Sequence, residues 1–405
     1  MSQASGSPFK DSATHPLTGA TVLQIIPDLH AGPAARATID MAAALSRAGA
    51  NALVASRGGR MVSELQAKGG VFIPFPAHTK NPLAMVLNIS RLARLIKAER
   101  VDIVHARSRA PAWVACGASR LTKTPFVTSF PGRYAGGNAL EARYNSVLAR
   151  GDIVIADSAY AAGLIAKLHP LAEGKIRIAH RGVDCRVFAP KAVAPARVQA
   201  VRRGWKVEAD EPIVLLAATI SASSGHKLLI EAARLLRAQG VAGVKFIMAG
   251  DEQRRGLAAE IDRAIAKAEL QDVIRRVGPC ADMPAALLAA SVVAAPSTQP
   301  EAFSGAALEA QAMGSPVIVS DHGAGPETVL APPEIDESLR TGWRTPPDDA
   351  KALAAAIRVV LSLGATSRDR LALRARAHIE TSFAIEQVCL ATLDAYLASR
   401  AGSEE

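Results

Sequence analysis

The sequence predicts an α/β protein with two domains, each built on a doubly wound parallel sheet. Short apolar runs rich in β-branched residues alternate with helical segments between residues 21 and 320, as in sheets covered by helices on both faces. At 405 residues the chain is too long for one ordinary domain and long enough for two. Its residues are 49% hydrophobic and 21% charged, which is a globular composition. We therefore expect two packed α/β domains.

The first domain is predicted from five apolar runs. The runs that we interpret as strands cover residues 21–26, 51–56, 102–105, 125–129 and 152–156. An amphipathic basic helix is predicted between the second and third of them, over residues 83–98. Its apolar face carries Leu87, Leu92, Leu95 and Ile96, and its basic face carries Arg91, Arg94 and Lys97. Such a helix suits packing on the sheet with a solvated outer face, contact with a membrane surface, or both.

The second domain repeats the same alternation. An Ala-, Pro- and Arg-rich linker and helix over residues 191–203 precede predicted strands over 213–218, 245–249, 273–277, 291–295 and 316–320. Helices are expected over residues 348–363 and 368–400. The predicted boundaries are a disordered tail over residues 1–18, a first domain over 19–190, a second domain over 191–375 and a C-terminal helical segment over 376–405.

Residues 291–327 carry the clearest functional pattern. They read as strand, loop, helix, strand and a second, glycine-rich loop. Small residues at the start of the helix expose backbone N–H groups, and the helix dipole favours an anion there. Glu301 precedes this helix and Glu309 lies one turn inside it. A phosphate would repel both carboxylates, so we expect them to face sugar or ribose hydroxyls, unless they are solvated glutamates on an ordinary crossover helix.

Residues 300–318, PEAF-x5-EAQAMG-x-PVI, closely resemble the donor-sugar motif of the large retaining glycosyltransferase family with the GT-B fold. That family includes mannosyltransferases and lipopolysaccharide-core glycosyltransferases, and the resemblance runs from about Val22 to Tyr396. It implies two Rossmann-like domains facing an interdomain cleft, with a C-terminal helix crossing back to the first domain. It also implies a nucleotide-sugar co-substrate, no cofactor and no metal, since no Asp-x-Asp pair follows a strand.

The resemblance assigns roles to individual positions. Glu301 would be the catalytic residue that holds the donor sugar, and Glu309 would bind the ribose. The backbone of Ser304 and Gly305 would bind the diphosphate. The remaining predicted donor-binding residues are Gly32, Thr219, Ser224, Lys227, Gly250 and Phe303.

Several of these positions depart from the family pattern. Thr219 stands where the family has an arginine, and Ser224 stands where it has a lysine; Lys227 follows three residues later. Pro33 replaces one of two paired glycines and removes a backbone N–H. Losing one preorganised donor typically costs about 3 kcal/mol of transition-state stabilisation. Two hypotheses therefore remain: a retaining glycosyltransferase, or a non-catalytic GT-B paralogue that binds a glycan, a glycolipid or a partner transferase.

Charge is unevenly distributed along the chain. Residues 1–184 contain 22 Lys and Arg and 11 Asp and Glu, whereas the remainder contains 25 and 26. The basic half therefore suits an anionic partner, such as lipid headgroups at a membrane surface or an anionic glycolipid or polysaccharide acceptor. Nucleic acid is disfavoured, because only 4% of the residues are aromatic and no binding motif is present.

The acceptor is expected at the carboxyl ends of the first domain's strands, where doubly wound sheets bind ligands. The residues predicted to bind it are His105, Arg107, Arg109 and Arg133. Arginines suit phosphate recognition, whereas a lone histidine at a strand end is also consistent with a structural role. Without an apolar run of ~20 residues, and with four scattered cysteines, the sequence predicts a cytoplasmic protein with peripheral association at the inner face of the cytoplasmic membrane.

Overall fold

The computed structural model describes residues 15–30, 32–131 and 139–402, which form two compact units. The first unit extends to His180 and also includes the chain from Glu386 onward; the second unit is Arg181–Ile385. The sequence prediction placed the domain boundaries after residues 190 and 375. In the structure, residues 181–190 belong to the second unit and not to the first, and residues 376–385 also belong to the second unit.

The described part of the first unit contains a seven-stranded parallel sheet in the order β3-β2-β1-β4-β5-β6-β7. Its strands are β1 (Thr21–Ile25), β2 (Asn51–Ser56), β3 (Val71–Pro74), β4 (Ile103–Ala106), β5 (Phe126–Phe130), β6 (Ile153–Ala156) and β7 (Ile176–Ile178). Its helices are α1 (Pro33–Arg47), α2 (Val62–Ala67), α3 (Pro82–Ala98), α4 (Arg109–Thr122), α5 (Ala139–Asn145) and α6 (Ala159–Leu168).

The described part of the second unit contains a six-stranded parallel sheet in the order β10-β9-β8-β11-β12-β13. Its strands are β8 (Ile213–Ala217), β9 (Lys245–Ala249), β10 (Ile274–Gly278), β11 (Val292–Ala295), β12 (Val317–Ser320) and β13 (Trp343–Thr345). Its helices are α7 (Pro195–Gly204), α8 (His226–Ala238), α9 (Leu257–Lys267), α10 (Met283–Ala289), α11 (Gly305–Ala312), α12 (Gly325–Thr328), α13 (Ala350–Leu361) and α14 (Ala365–Ser382).

Helices cover both faces of the second sheet, which explains its continuous apolar strands. Val214 and Leu216 point into one buried cluster with Phe246, whereas Leu215 packs with Ile247 in a cluster on the opposite face. Both faces of the strand are thus removed from water, and this burial is the main stabilising contribution. The doubly wound α/β fold predicted from the sequence is confirmed in each unit.

The last helix, α15 (Ile385–Ala401), belongs to the first unit from Glu386 onward. Tyr396 is fully buried there, and the Sγ of Cys389 donates to the carbonyl of Asp40 at 3.7 Å. The return of the C-terminal helix to the first domain is therefore confirmed. The single helix predicted over residues 368–400 is wrong in detail, because the chain breaks at Phe383 and Ala384 between α14 and α15.

Three strands were absent from the prediction. β3 and β7 are the edges of the first sheet and β13 is an edge of the second. Each has only three or four residues and none is buried along its whole length, and an arginine interrupts the apolar run in β7 and in β13.

Helix α3 buries less of its apolar face than predicted. Leu92 and Ile96 are buried as expected, but Leu87 is 61% exposed, together with Leu83 and Val86 in the first turns. Arg91 and Arg94 are exposed on the following turns. The first half of α3 therefore presents apolar side chains to solvent.

Other predictions concern the chain ends, the thiols and membrane spans. Of the predicted tail, only residues 15–18 are described, and Leu17 is buried in the fold. None of the four cysteines forms a disulfide within the described part of the chain, and Cys116 and Cys389 are buried. Among the described residues, no single helix has the length and apolar composition to span a membrane, while the bent pair α13 and α14 meets both criteria jointly.

Candidate functional site

The second sheet has its topological switch point between β8 and β11. The neighbour of β8 on one side is β9 and on the other is β11, so the chain leaves these two strands in opposite directions. Loops that diverge at the carboxyl ends of parallel strands leave a crevice in which ligands bind. Residues 218–225 follow β8 and residues 296–304 follow β11, so both loops border this crevice.

Backbone contacts hold these loops together. The N–H of Thr298 donates to the carbonyl of Ser223 at 2.8 Å, and the N–H of Ala324 donates to that of Glu301 at 2.8 Å. A Cβ at Gly225 would lie 1.9 Å from the carbonyl oxygen of Pro296, so this position tolerates only glycine. The crevice is thus bordered by a fixed backbone.

The crevice contains a cavity of about 190 Å³. It is lined by Ala217, Ala218, Ser224, Ala295, Ser297, Glu301, Phe303, Ser304, Gly305 and Ala306. Five predicted donor-site residues therefore meet at one place, namely Ser224, Glu301, Phe303, Ser304 and Gly305. The volume is below the range of roughly 300–1,000 Å³ that encloses a whole small ligand. The cavity therefore suits one part of a ligand, such as a phosphate or a sugar.

Helix α11 begins at this cavity without a side-chain cap. Asp282 and Asp349 cap α10 and α13 by accepting backbone N–H donors, whereas Ser304 at the start of α11 accepts none. Gly305 and Ala306, the first residues of α11, line the cavity. Uncapped N–H groups and the positive end of the helix dipole together favour an anion here.

Both predicted glutamates have perturbed pKa values. Burial raises the pKa of Glu309, which is partly buried, to about 7, while the nearby positive charge of Arg181 opposes this shift. Desolvation also raises the pKa of Glu301 although the residue is exposed, and a hydrogen bond from Ser297 opposes this shift. Glu301 lines the cavity whereas Glu309 does not, and perturbed carboxyl groups at a cavity are typical of functional sites.

Arg181 is a residue that the sequence reasoning did not assign to this site. Its guanidinium carbon lies 4.3 Å from the centre of the Phe303 ring, and Phe303 lines the cavity. Its charge also acts on Glu309. The available signal was its place at the head of Arg181-Gly-Val-Asp184, a segment similar to the family's interdomain element.

Three other predicted donor-binding residues, Thr219, Gly250 and Lys227, do not line the cavity. The carbonyl of Thr219 accepts from the Ser224 hydroxyl at 2.7 Å. A Cβ at Gly250 would lie 2.1 Å from the carbonyl oxygen of Ala218. Lys227 is 70% exposed, lies 3.6 Å from Glu260 and does not line the cavity. Among the described residues, none that lines the cavity is Lys or Arg.

His105 does not form an open acceptor contact, contrary to its predicted role. It is fully buried in the first unit, with Nδ1 2.7 Å from the Tyr396 hydroxyl and Nε2 2.9 Å from the Ser129 hydroxyl. Burial lowers its pKa well below the usual value, and the nearby Arg107 charge adds to the shift. Both ring nitrogens are occupied, so His105 is a neutral structural residue here.

Two of the three predicted arginines of the first unit, Arg107 and Arg109, are also engaged. Arg107 donates from Nε to Gln24 at 3.1 Å, and Arg109 donates to Asn145 at 2.9 Å. Arg133 lies outside the described residues. Gly32 precedes α1 with a φ of 104°, and a Cβ at this position would meet no described atom within 4 Å. Acceptor binding by the arginines and donor binding by Gly32 stay predictions.

Within the described ranges, no group of three or more His, Cys, Asp or Glu side chains is placed to hold a metal ion. The absence of a metal from the reaction stays a prediction.

Comparisons with known proteins relate both units to glycosyltransferases. Residues 34–187 match the family described as Glycosyltransferase Family 4, and residues 211–362 match Glycosyl transferases group 1. The amylovoran biosynthesis glycosyltransferase AmsK of Erwinia amylovora is 34% identical over 178 residues, which are 42% of this chain and 40% of AmsK. The chain spans about half the length of the curated relatives it matches.

Two solved structures are similar over nearly the whole chain. A glycosyltransferase from Rickettsia africae ESF-5 has a TM-score of 0.82 and 29% identity, covering 94% of this chain and 98% of its own. Alr3699/HepE of Anabaena, solved in complex with UDP-glucose, has a TM-score of 0.74 and 22% identity, covering 92% and 99%. The fold is thus GT-B, and the chain carries a glycosyltransferase family 4 domain followed by a glycosyl transferases group 1 domain.

Proposed function

We propose that the protein is a retaining glycosyltransferase that moves a sugar from a nucleotide-sugar donor to a lipid-linked or cell-envelope polysaccharide acceptor. One observation carries the proposal: Glu301, Phe303, Ser304 and Gly305 meet in a cavity at the uncapped start of α11. The name of AmsK, an amylovoran biosynthesis glycosyltransferase, supports a polysaccharide-related acceptor. The UDP-glucose bound by the Anabaena structure supports a nucleotide-sugar donor.

The donor is proposed to bind with its diphosphate against the first turn of α11. The backbone N–H groups of that turn supply donors for the phosphate oxygens. Glu301 accepts from sugar hydroxyls and Glu309 from the ribose, because carboxylates bind hydroxyl pairs well and repel phosphate. This division keeps the two carboxylates apart from the charge of the diphosphate.

The positive charge missing at Thr219 and Ser224 is proposed to come from Arg181. Its guanidinium stacks on Phe303, beside the cavity rather than within its lining. A shift of the long arginine side chain towards the cavity would bring its fork of N–H donors to the diphosphate, a geometry in which arginine binds phosphate well. Lys227 is not proposed for this role, because it lies beside Glu260.

In the proposed reaction, the bond between the anomeric carbon and the diphosphate oxygen breaks. The acceptor hydroxyl oxygen forms a new bond to that carbon on the same face, which retains the configuration. The hydroxyl proton leaves with the nucleoside diphosphate or passes to solvent. Preorganised N–H groups and the Arg181 charge lower the barrier by stabilising the charge that develops on the leaving diphosphate.

The acceptor is proposed to be anionic and held at the cytoplasmic face of a membrane. Helix α3 exposes Leu83, Val86 and Leu87, and its exposed Arg91 and Arg94 follow on the next turns. Apolar side chains beside basic ones suit an anionic lipid surface. Binding to anionic vesicles that is lost in a Leu83→Ser, Leu87→Ser variant would support this placement; equal binding by wild type and variant would contradict it.

A second candidate function has a specific observation in its favour. Because none of the described residues lining the cavity is cationic, a non-catalytic paralogue would hold a glycan or glycolipid with Glu301 and Phe303 and leave the diphosphate unbound. Aromatic rings and carboxylates are common partners of sugars, whereas phosphate needs positive charge or N–H donors.

Calorimetric titration with UDP, GDP and ADP, and with their sugar conjugates, distinguishes the two functions. Saturable binding of one nucleotide supports the transferase, provided that the same nucleotide is then released from its sugar conjugate when an acceptor extract is added. The anomeric configuration of the product, read by NMR, tests retention. Absence of binding by every nucleotide at millimolar concentration, with a free glycan still bound, would establish the paralogue instead.

A further inference from the structure

The first unit contains a second cavity, at the edge of its sheet opposite the predicted acceptor residues. Its volume is about 570 Å³, within the range of roughly 300–1,000 Å³ that is typical of small-molecule sites. The lining residues come from the end of α4, from the segments that precede β5, β6 and β7, and from the end of α15. They are Cys116, Ser119, Arg120, Lys123, Thr124, Pro125, Phe126, Arg150, Asp152, Lys175, Ala398, Ser399 and Gly402.

Positive charge dominates this lining. Arg120, Lys123, Arg150 and Lys175 converge on the cavity from three separate segments of the chain. Within the described residues, none of these four side chains has an ion-pair partner, although the guanidinium carbon of Arg150 lies 4.9 Å from the centre of the Trp113 ring. The single carboxylate of the lining, Asp152, accepts the backbone N–H of Phe126 at 2.8 Å. The cavity therefore holds a net positive charge that the described fold leaves uncompensated.

A second observation indicates a ligand. The hydroxyl of Ser119 is buried, with the residue only 4% exposed, and has no hydrogen-bond partner in the described structure. Buried hydroxyl groups are normally paired, so an unpaired one in a cavity lining is expected to meet a bound group. Basic residues at a helix C-terminus also stabilise the helix dipole. That role accounts for Arg120 and Lys123 at the end of α4, but not for the unpaired Ser119.

We propose that this cavity binds a phosphate-bearing ligand, with the four cations facing the phosphate oxygens and Ser119 donating a hydrogen bond. Arginine and lysine are the side chains that proteins most use for this group. The site lies in the first unit and does not depend on the donor site of the second unit. Its place at the amino ends of the strands, away from the edge where doubly wound sheets bind substrates, gives it a binding role rather than a catalytic one.

The test uses pyrophosphate as a soluble probe and phosphatidylcholine vesicles with or without phosphatidic acid as a lipid probe. Calorimetry compares the wild type with an Arg120→Gln, Arg150→Gln variant and with Lys167→Gln, which removes an exposed cation of the same unit outside the cavity. We expect the cavity variant to lose about tenfold in affinity, as charge-assisted contacts to phosphate predict, and the control to stay within about twofold. Ser119→Ala should weaken binding less, with an unchanged melting temperature.

The two probes separate the sources of the phosphate. Binding of pyrophosphate alone assigns a soluble ligand, and binding only to vesicles that contain phosphatidic acid assigns a lipid headgroup. Circular dichroism confirms that the variants are folded. The proposal is overturned if the wild type binds neither probe, or if the cavity variant and Lys167→Gln lose affinity equally.

Discussion

The carboxyl-end edges of the two sheets use their polar side chains differently. In the second unit, Glu301, Ser304 and Ser224 line a cavity. In the first unit, His105 stands at the end of β4 but is enclosed by Tyr396 and Ser129. Both edges were predicted to bind substrate. A strand-end position therefore places a residue at the ligand edge, while the elements packed around it decide whether a ligand can reach it.

The largest effect should come from Glu301, the predicted catalytic residue. Glu301→Gln keeps the size of the side chain but removes the charge that accepts the donor's sugar hydroxyls. We expect kcat/KM to fall by about a hundredfold or more, as for the loss of a preorganised transition-state contact. Steady-state assays should include Glu260→Gln, which alters a half-buried glutamate of the same unit that does not line the cavity. Equal activity of Glu301→Gln and wild type would remove Glu301 from the mechanism.

Variants of Arg181 test whether this residue supplies the positive charge that is missing at Thr219 and Ser224. Arg181→Gln should weaken nucleoside diphosphate binding by about tenfold, because a charge-assisted contact is lost, and Arg181→Lys should recover part of the affinity. Arg186→Gln, in the same segment and 75% exposed, is the matched control. If both arginine variants bind the nucleotide as the wild type does, the diphosphate is held without Arg181.

Glu309 gives a pH-dependent prediction. Its folded-state pKa of about 7 is raised above the ordinary value of 4.5, so the native protein binds the proton more tightly than the unfolded chain. The contribution to stability is therefore full below about pH 4.5 and is lost as the pH rises towards 7. Glu309→Gln should remove this loss. The melting temperature of the variant minus that of the wild type should therefore increase as the pH rises from 5 to 8. A constant difference over that window would contradict the shifted pKa.

A Tyr396 variant tests whether the carboxyl-end edge of the first sheet has a structural role. Tyr396→Phe removes the hydroxyl that lies 2.7 Å from His105 and leaves a buried ring nitrogen unpaired, at a cost of about 1–3 kcal/mol of unfolding free energy. Urea denaturation measures this loss. Nucleotide affinity should not change, since Tyr396 belongs to the other unit. A variant with normal stability and altered nucleotide binding would assign this edge a ligand role after all.

The smallest effect is expected for Lys227. It was predicted as a donor-binding residue, but it lies beside Glu260 and does not line the cavity. Lys227→Ala should change nucleotide affinity by less than about twofold, as for a solvated surface ion pair. A tenfold loss in calorimetry would show that the side chain moves to the diphosphate on binding.

The fold was largely predictable because it depends on local periodicity. Buried strands such as β8 and β11 are continuous apolar runs, and their order follows from alternation with helices. The loop and helix around Glu301 and Gly305 were also predictable, since their spacing is fixed by one short segment. Edge strands such as β13 escaped prediction because only part of their length is buried.

The remaining site residues depended on contacts between distant parts of the sequence. His105 meets Tyr396, 291 residues later, so no local pattern could show that its ring is enclosed. Arg181 meets Phe303 across more than a hundred residues, and Lys227 pairs with Glu260 away from the cavity. Residue type and strand-end position could be read from the sequence. The residues that each side chain contacts, which decide whether it can reach a ligand, could not.

The most direct test of the central claim is a crystal structure of the protein with the nucleoside diphosphate that calorimetry selects. We expect diphosphate density within hydrogen-bond distance of the backbone N–H groups at Gly305 and Ala306, with Arg181 turned towards it. Density for the nucleotide at any other place in the second unit, with this cavity unchanged, would contradict the assignment of the donor site.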